Sequence, residues 1–569
     1  MPGVPGIIMV KIIIKKRGIN MRLVIIGAVA AGTSAAAKAR RNDENAEIVI
    51  YEMDRDISYS GCGMPYYLGG SIKSADLLTP RDPKFFKKKY NVDVLTGHQV
   101  LSIDPNAKSL EVKELATGRV FTDTYDKLII STGASAVKPP ITGADAHHVF
   151  LLRTIGDMHR IKEFMDSKRP RHAAIVGTGF IGLEVCENLH GQGIAVTMIE
   201  RLPQVTPGLD VDMAVYVQEH LEKKGVQVHL GAGVTEITED KLLFADGTAI
   251  EADMVLLATG VKPNVALAKE AGIELGTTGA IKVNTHMQTN IPDIFACGDC
   301  IEHFDLITGR PVYRPLGSTA NKTGRIAGEV VTGGGLEFRG VLSTGIFKVF
   351  DLTVAQTGLS EREAKELGFD TVICHNTKPD KPGYMGGKEM TIKGVADGKT
   401  GRLLGVQIVG PQGVDKRIDV FVTAITYGAK VEDLFHLDLA YAPPFSTTKD
   451  PVAYTGMILD NAISKDRPLI TPQELSTLME SGQKYSLIDA RAAEQHQADH
   501  VPSACSIPQD VLREACKNLD PDSVAITYCN KGVTGNAAQN ILLNKGFKKV
   551  YNLSGGHKHF SKTSKERNK

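Results

Sequence analysis

The sequence predicts a multidomain α/β protein built around two βαβ units of nucleotide-binding type. Three observations lead there. A strand running into a glycine turn and then a helix occurs twice, at residues 22–41 and again within 171–200. The 57 glycines stand among 42% hydrophobic residues with no tryptophan, a composition suited to many tight strand-to-helix turns. The 569 residues exceed what one core holds, since domains run to roughly 100–200 residues.

The first unit is RLVIIG (22–27), the turn GAVAAG (27–32), the small-residue helix TSAAAKARR and the strand EIVIYE ending at Glu52. Gly27 permits the turn, Gly32 lets helix and sheet approach, and Glu52 is placed to accept from ribose hydroxyls. Val29 stands where the middle glycine is usual, so a plain αβ turn remains the alternative for this element taken alone. The second unit carries Gly177, Gly179 and Gly182 in full GxGxxG spacing, with Glu200 closing the next strand. A carboxylate at 200 favours a 2′-hydroxyl over a 2′-phosphate, hence NADH; Arg201 beside it leaves NADPH open.

Two further segments assign the first nucleotide as FAD. TNIPDIFACGD (289–299) delivers Gly298 and Asp299 to a sheet end, and IISTG (129–133) and LLATG (256–260) read as paired crossings between two nucleotide domains. The expected division is an FAD domain at 21–140 and 255–334, an NAD(P)H domain at 141–254, a block at 335–455, a linker at 456–466 and a last domain at 467–569. Cys297-x-x-Cys300 is open to a metal pair, a redox dithiol or a structural role; its place inside the nucleotide segment favours the last, and no metal is expected.

The stretch SGCGMPYYLGG (60–70) sets Cys62 between two glycines, which leaves its sulfur approachable. Pro65 suits a first helical position, so a helix is expected to begin just after the thiol and favour its thiolate. An idle thiol in a turn is the alternative.

Bulk properties narrow the partners. Lys and Arg total 66 against 65 Asp and Glu, without a long like-charge block, so nothing favours a nucleic-acid or anionic-membrane partner and none is expected. Eight scattered cysteines and no apolar window of about 18 residues predict a cytoplasmic protein outside the membrane. Residues 1–20 make a poor signal peptide, being broken by Lys11, and Met21 is a candidate start.

Taken in order, these elements resemble the flavoprotein disulfide reductases over residues 21–455. SYSGCGMPYYLGG, with one thiol in place of two, resembles their single-cysteine branch: coenzyme A disulfide reductases with their NADH oxidase and persulfide reductase relatives. The resemblance implies a Cys62 that cycles between thiolate and mixed disulfide beside a flavin. It implies coenzyme A as substrate or bound ligand, held by Lys38, Arg41, Ser58, Asn321 and Lys322. Lysine replaces the expected arginine at 38 and 322, Gly61 replaces a frequent asparagine, and a solvated helix face is the other reading of each basic residue. The 335–455 block resembles the family's α+β dimerisation domain. That implies a homodimer with active sites at the interface, to which Tyr384 and Tyr441 contribute; buried structural tyrosines are the alternative.

LIDAR (487–491), Glu494, HVPSACSIP (500–508) and a strand leading to Cys529 resemble an α/β rhodanese module, which implies a persulfide carried on Cys529. Thr534 stands where arginine is common, with Lys531 as the compensating charge, so a sulfur carrier and a degenerate docking module both remain open. The resulting expectation is NADH-dependent reduction of coenzyme A disulfide, coenzyme A persulfide or polysulfide. An NADH oxidase working through a Cys62 sulfenate, and a sulfurtransferase whose reductase half regenerates thiol, stand as alternatives.

Overall fold

The computed structural model describes residues 20–565. The expectations about residues 1–19 as a leader segment lie outside the described residues. The first sheet is fully parallel, in the order Ile294–Ala296, Lys127–Ile130, Arg22–Ile26, Glu47–Glu52, Asp93–Thr96. Its strands are short apolar runs because both faces are covered. The helix Ala30–Asn42 lies against Gly317–Val330, and the small residues of both are explained by their contact: a Cβ at Gly324 would stand 2.2 Å from the Ala31 carbonyl oxygen.

The second sheet, also parallel, orders Gln227–His229, Ala195–Ile199, His172–Val176, Met254–Leu257 and Val149–Phe150. Met254–Leu257 pairs inside it, so the chain leaves this domain after residue 257, slightly later than the expected 255. The two crossings pair with each other as the antiparallel strands Ala134–Ala136 and Val261–Pro263. A third sheet, antiparallel, runs Gly345–Val349, Leu352–Gly358, Leu403–Gly410, Glu389–Asp397, Thr371–Pro379.

The expected linker at 456–466 is largely helix. Asp450 caps Pro451–Ser464, accepting from the Val452 N–H, and Val452, Thr455, Gly456 and Leu459 are buried. An apolar stripe with a good cap outweighs the polar composition of DNAISKDRP. The last domain is a parallel sheet in the order Leu469–Ile470, Lys549–Leu553, Val524–Tyr528, Tyr485–Asp489, Cys505–Ser506.

This last domain is docked, not tethered. Thr371–Pro379 is an edge strand, and its His375 N–H is taken by Ser554 Oγ at 2.8 Å. Tyr216 of the second domain meets His559 Nδ1 at 2.9 Å, and Lys562 pairs with Glu219. Beneath this junction Lys393, fully buried, bonds Asp212 at 2.9 Å, Glu361 at 2.6 Å and Asp210 at 3.1 Å. Asp212 also bonds His375 Nε2 at 2.8 Å, and the His375 and His559 rings stack at 3.9 Å. Ligand-type atoms of Asp212, His375 and His559 lie within 4.8 Å of one another, but Lys393 already supplies the cation there. No helix among the described residues is long and apolar enough to cross a membrane.

Candidate active site

Each glycine turn is closed by the acid at the end of the neighbouring strand. Glu52 accepts the Ala28 N–H at 2.8 Å, and Glu200 accepts the Thr178 N–H at 3.0 Å and its hydroxyl at 2.8 Å. Gly27 has φ +102°, and a Cβ at Gly32 would stand 1.9 Å from the Gly27 oxygen; no other residue type fits either position. Gly177 and Gly182 repeat the pair, while Gly179 opens onto free space. Glu52 is buried, and loss of hydration holds its carboxyl above the usual range.

Gly298 and Asp299 follow the strand Ile294–Ala296 and stand over the helix Ala30–Asn42, as the motif predicts. Arg153 Nη2 holds Asp299 Oδ2 at 2.8 Å, whereas Asp299 Oδ1 is buried with no hydrogen-bond partner. A buried orphan oxygen aimed at a glycine-built cradle is what a nucleotide's hydroxyls would satisfy. The residues present therefore fit FAD. Cys297 and Cys300 lie fully buried beneath this turn, with Cys300 Sγ on the Cys297 carbonyl at 3.2 Å, in agreement with the structural reading.

Cys62 is an exposed free cysteine in a tight turn, Gly61–Gly63, followed at once by the helix Met64–Leu68 with Pro65 in its first turn. The local geometry is as expected; the electrostatics are not. The surrounding protein pushes the thiol up, first by partial desolvation and then through Glu184, with Arg153 opposing and Asp299 adding to the rise. A five-residue helix has too few aligned peptide dipoles to outweigh a nearby carboxylate. Glu184 lies on the second domain's helix Phe180–Gly191 and is itself pushed up to about 7 by burial and by Glu187, with Tyr66 bonding to it.

Glu184 consequently gains its charge as pH rises through about 7, and that charge then works against the Cys62 thiolate. Glu184→Gln is expected to speed iodoacetamide alkylation of Cys62 several-fold above that pH and to leave it unchanged well below. A wild-type-like pH profile in the variant would dismiss the coupling.

Beside the first glycine turn lies a cavity of about 420 Å³ lined by Ser58, Arg41 and Asn321 from the expected set. It also takes in Arg81, Arg325 and Tyr59, which the sequence reading missed. Among the described residues none of the three arginines forms an ion pair, which leaves an electropositive site for anionic groups. Ser34 donates to Asn321 at 2.7 Å across the two helices. Lys38 does not line this cavity, and its ammonium pairs with Glu329 at 2.5 Å. Lys322 borders a second cavity with Leu336 and Arg339, being about 100° round the helix from Asn321, while Arg325 lies between the two and lines both cavities. The i, i+4 partner of Asn321 was the available signal for Arg325.

Tyr384 is 78% exposed and Tyr441 48%, which removes the buried-tyrosine alternative. Among the described residues no hydrogen bond or ring contact joins either to the Cys62 turn of the same chain. Tyr427, Phe435 and Phe445 of the third domain are exposed as well. Cys529 is buried at the end of Val524–Tyr528 and accepts the Gly532 N–H at 3.2 Å.

Fold and site together define a two-nucleotide reductase with a thiol at the junction. The profile of the pyridine nucleotide-disulphide oxidoreductases matches residues 21–315, that of their dimerisation domain residues 344–451, and that of rhodanese-like domains residues 471–563. The chain belongs to this family of FAD enzymes that use NAD(P)H. It is similar to an NADH oxidase of Methanocaldococcus jannaschii, 38% identical over 76% of this chain and 97% of that one. A NAD(P)H coenzyme A polysulfide/persulfide reductase of Pyrococcus horikoshii is 36% identical over 78% and 99%. The solved structure of reduced Bacillus anthracis CoADR-RHD superimposes with a TM-score of 0.94 at 37% identity, covering 97% of this chain and 99% of that one.

Proposed function

We propose that this chain uses NADH to reduce sulfur–sulfur bonds in coenzyme A disulfide, coenzyme A persulfide or polysulfide through Cys62, with Cys529 handling sulfur in the appended domain. The observation that carries the reading is the exposed Cys62 standing four residues after Ser58, which lines the arginine-rich cavity. A ligand with its phosphates on Arg41, Arg81 and Arg325 has its thiol end directed along the Ser58–Cys62 segment. The Cys62 thiolate attacks one sulfur of the substrate; a Cys62–substrate disulfide forms and the other sulfur leaves as a thiolate. FAD, when bound, would supply the two-electron relay from the dihydronicotinamide; with it the Cys62–substrate S–S bond breaks, the retained substrate sulfur leaves as a second thiolate, and Cys62 returns to the thiol state. Arg153 and Asp299 hold the turn facing Cys62, and Glu184 takes or returns a proton near neutral pH.

The match to a dimerisation domain and the exposed tyrosines and phenylalanines on it support a homodimer in which Tyr384 and Tyr441 reach the partner's Cys62 and donate to its departing sulfur. The fused rhodanese-like domain favours persulfide or polysulfide over plain disulfide. NADH consumption measured with each sulfur substrate and with O₂ tests the reading, alongside intact mass of the purified protein under non-reducing conditions. A coenzyme A adduct on Cys62 is expected; oxygen uptake outpacing every sulfur substrate would leave the NADH oxidase reading instead.

The coenzyme preference rests on Glu200, whose oxygens already hold Thr178 and the Leu202 N–H at 3.1 Å. Glu200→Gln is expected to lower the NADH-to-NADPH ratio of kcat/KM by roughly tenfold. An unchanged ratio would show that Arg201 decides the choice.

A further inference from the structure

The loop after Cys529 has Thr534 in the place of an arginine, and its own lysine is already committed. Lys531 is paired with Glu389, whose other oxygen is taken by Lys558. What the loop itself offers a sulfur anion is the Gly532 N–H at 3.2 Å and the start of the 12-residue helix Val533–Asn544. Those are partial charges, and an anionic persulfide sharing the loop with an anionic donor needs a full one.

A full charge comes from another domain. The edge strand Thr371–Pro379 abuts the last domain: His375 bonds Ser554 through both its N–H and its ring, and Pro379 pairs with Glu389, the carboxylate that grips Lys531 and Lys558. Between them stands Lys378. Its ammonium lies 3.9 Å from the Tyr454 ring centroid, is half-buried, and forms no ion pair among the described residues. In the ladder formed with Glu389–Asp397, Lys378 pairs with Met390, next to Glu389, whose carboxylate holds Lys531 two residues after Cys529. Loss of hydration, Lys531 and Lys449 hold this ammonium below the usual lysine range, and negative charge on Cys529 is the one influence restoring it.

We propose that Lys378, contributed by the dimerisation domain, is the residue that positions anionic sulfur at Cys529, so that the sulfur-transfer site is built from two domains of one chain. The inference rests on the reading that Cys529 carries sulfur. For a donor of the thiosulfate class, the Cys529 thiolate attacks the outer sulfur, the S–S bond breaks, sulfite leaves with the electron pair, and Cys529 holds a persulfide anion. An acceptor thiolate then takes the outer sulfur and restores the Cys529 thiolate. Both steps are internal to sulfur and need no added oxidant. In each, two anions must meet at Cys529, which is the cost a fixed cation lowers. Lys449, which is exposed, adds to the positive charge around Lys378.

The test is iodoacetamide alkylation of Cys529 in the full-length protein at pH 7 and low salt, read by peptide mass. Lys378→Met is expected to slow it roughly three- to tenfold, Lys378→Arg to restore it, and added salt to narrow the gap. Equal rates in wild type and Lys378→Met would overturn the proposal, whatever the activity. Thiosulfate-to-cyanide transfer provides the second measurement: Lys378→Met should raise KM for thiosulfate more than it lowers kcat. If wild type and Cys529→Ala transfer sulfur equally, the sulfur-handling reading falls, and the alkylation result still decides whether Lys378 acts on Cys529.

Discussion

Replacing Cys62 by serine is expected to lower NADH-driven turnover of coenzyme A disulfide and persulfide by about 10³-fold or more, because an oxygen nucleophile neither attacks nor leaves a sulfur–sulfur bond at useful rates. Reduction of the enzyme by NADH in stopped flow should survive, since the Glu52, Glu200, Gly298 and Asp299 framework is untouched. Retention of sulfur turnover in the variant would refute the role given to Cys62. Loss of both half-reactions would point to a damaged fold.

The second large effect is on stability. Lys393 has no exposed surface and neutralises Asp210, Asp212 and Glu361 at the meeting of the second and third domains. Lys393→Met leaves those carboxylates buried without their cation, at a cost of about 3–5 kcal/mol. A marked fall in the midpoint of thermal unfolding at pH 7 is the expected readout. The pH dependence has a definite sign. Asp212 and Glu361 are held below the usual carboxylate range, chiefly by Lys393 working against desolvation. Their contribution is present above the unfolded carboxylate values and is lost as pH falls through the depressed folded ones. Lys393 is raised by the same carboxylates, so its share is present below the ordinary lysine range and is lost only as pH climbs past its raised folded value. Neutral pH lies inside both windows, and the two proteins should converge in acid. A Lys393→Met protein as stable as wild type at pH 7 would show that the cluster is solvated.

Most of the architecture was legible because glycine turns and their acids are local: Gly27, Gly32 and Glu52, or Gly177, Gly182 and Glu200, sit within one βαβ unit and constrain one another. The cofactor cradle was readable for the same reason. What sequence could not reach were meetings of distant elements. Arg153 on Asp299, Glu184 beside Cys62 and Lys378 near Cys529 each join residues more than 100 positions apart. The Cys62 thiolate expectation is opposed by partial burial first and by Glu184 second, and neither was visible in the sequence beside the helix end that was. Lys38 and Lys322 carry the right charge on the right helices, but one is paired with Glu329 and the other lines a second cavity. The linker expectation read composition where an apolar stripe and an Asp450 cap governed.

Relatives such as the Pyrococcus horikoshii reductase match only 78% of this chain while being covered almost end to end. In the chain described here, the strand Thr371–Pro379 has its flank guarded by Ser554 and His559. Cutting the chain after Ser464 would strip that guard and bare backbone donors to solvent and to stray strands from other molecules. The appended rhodanese-like domain is thus also a stopper for that edge. Any lineage that discards it has to shield the same rim by other means.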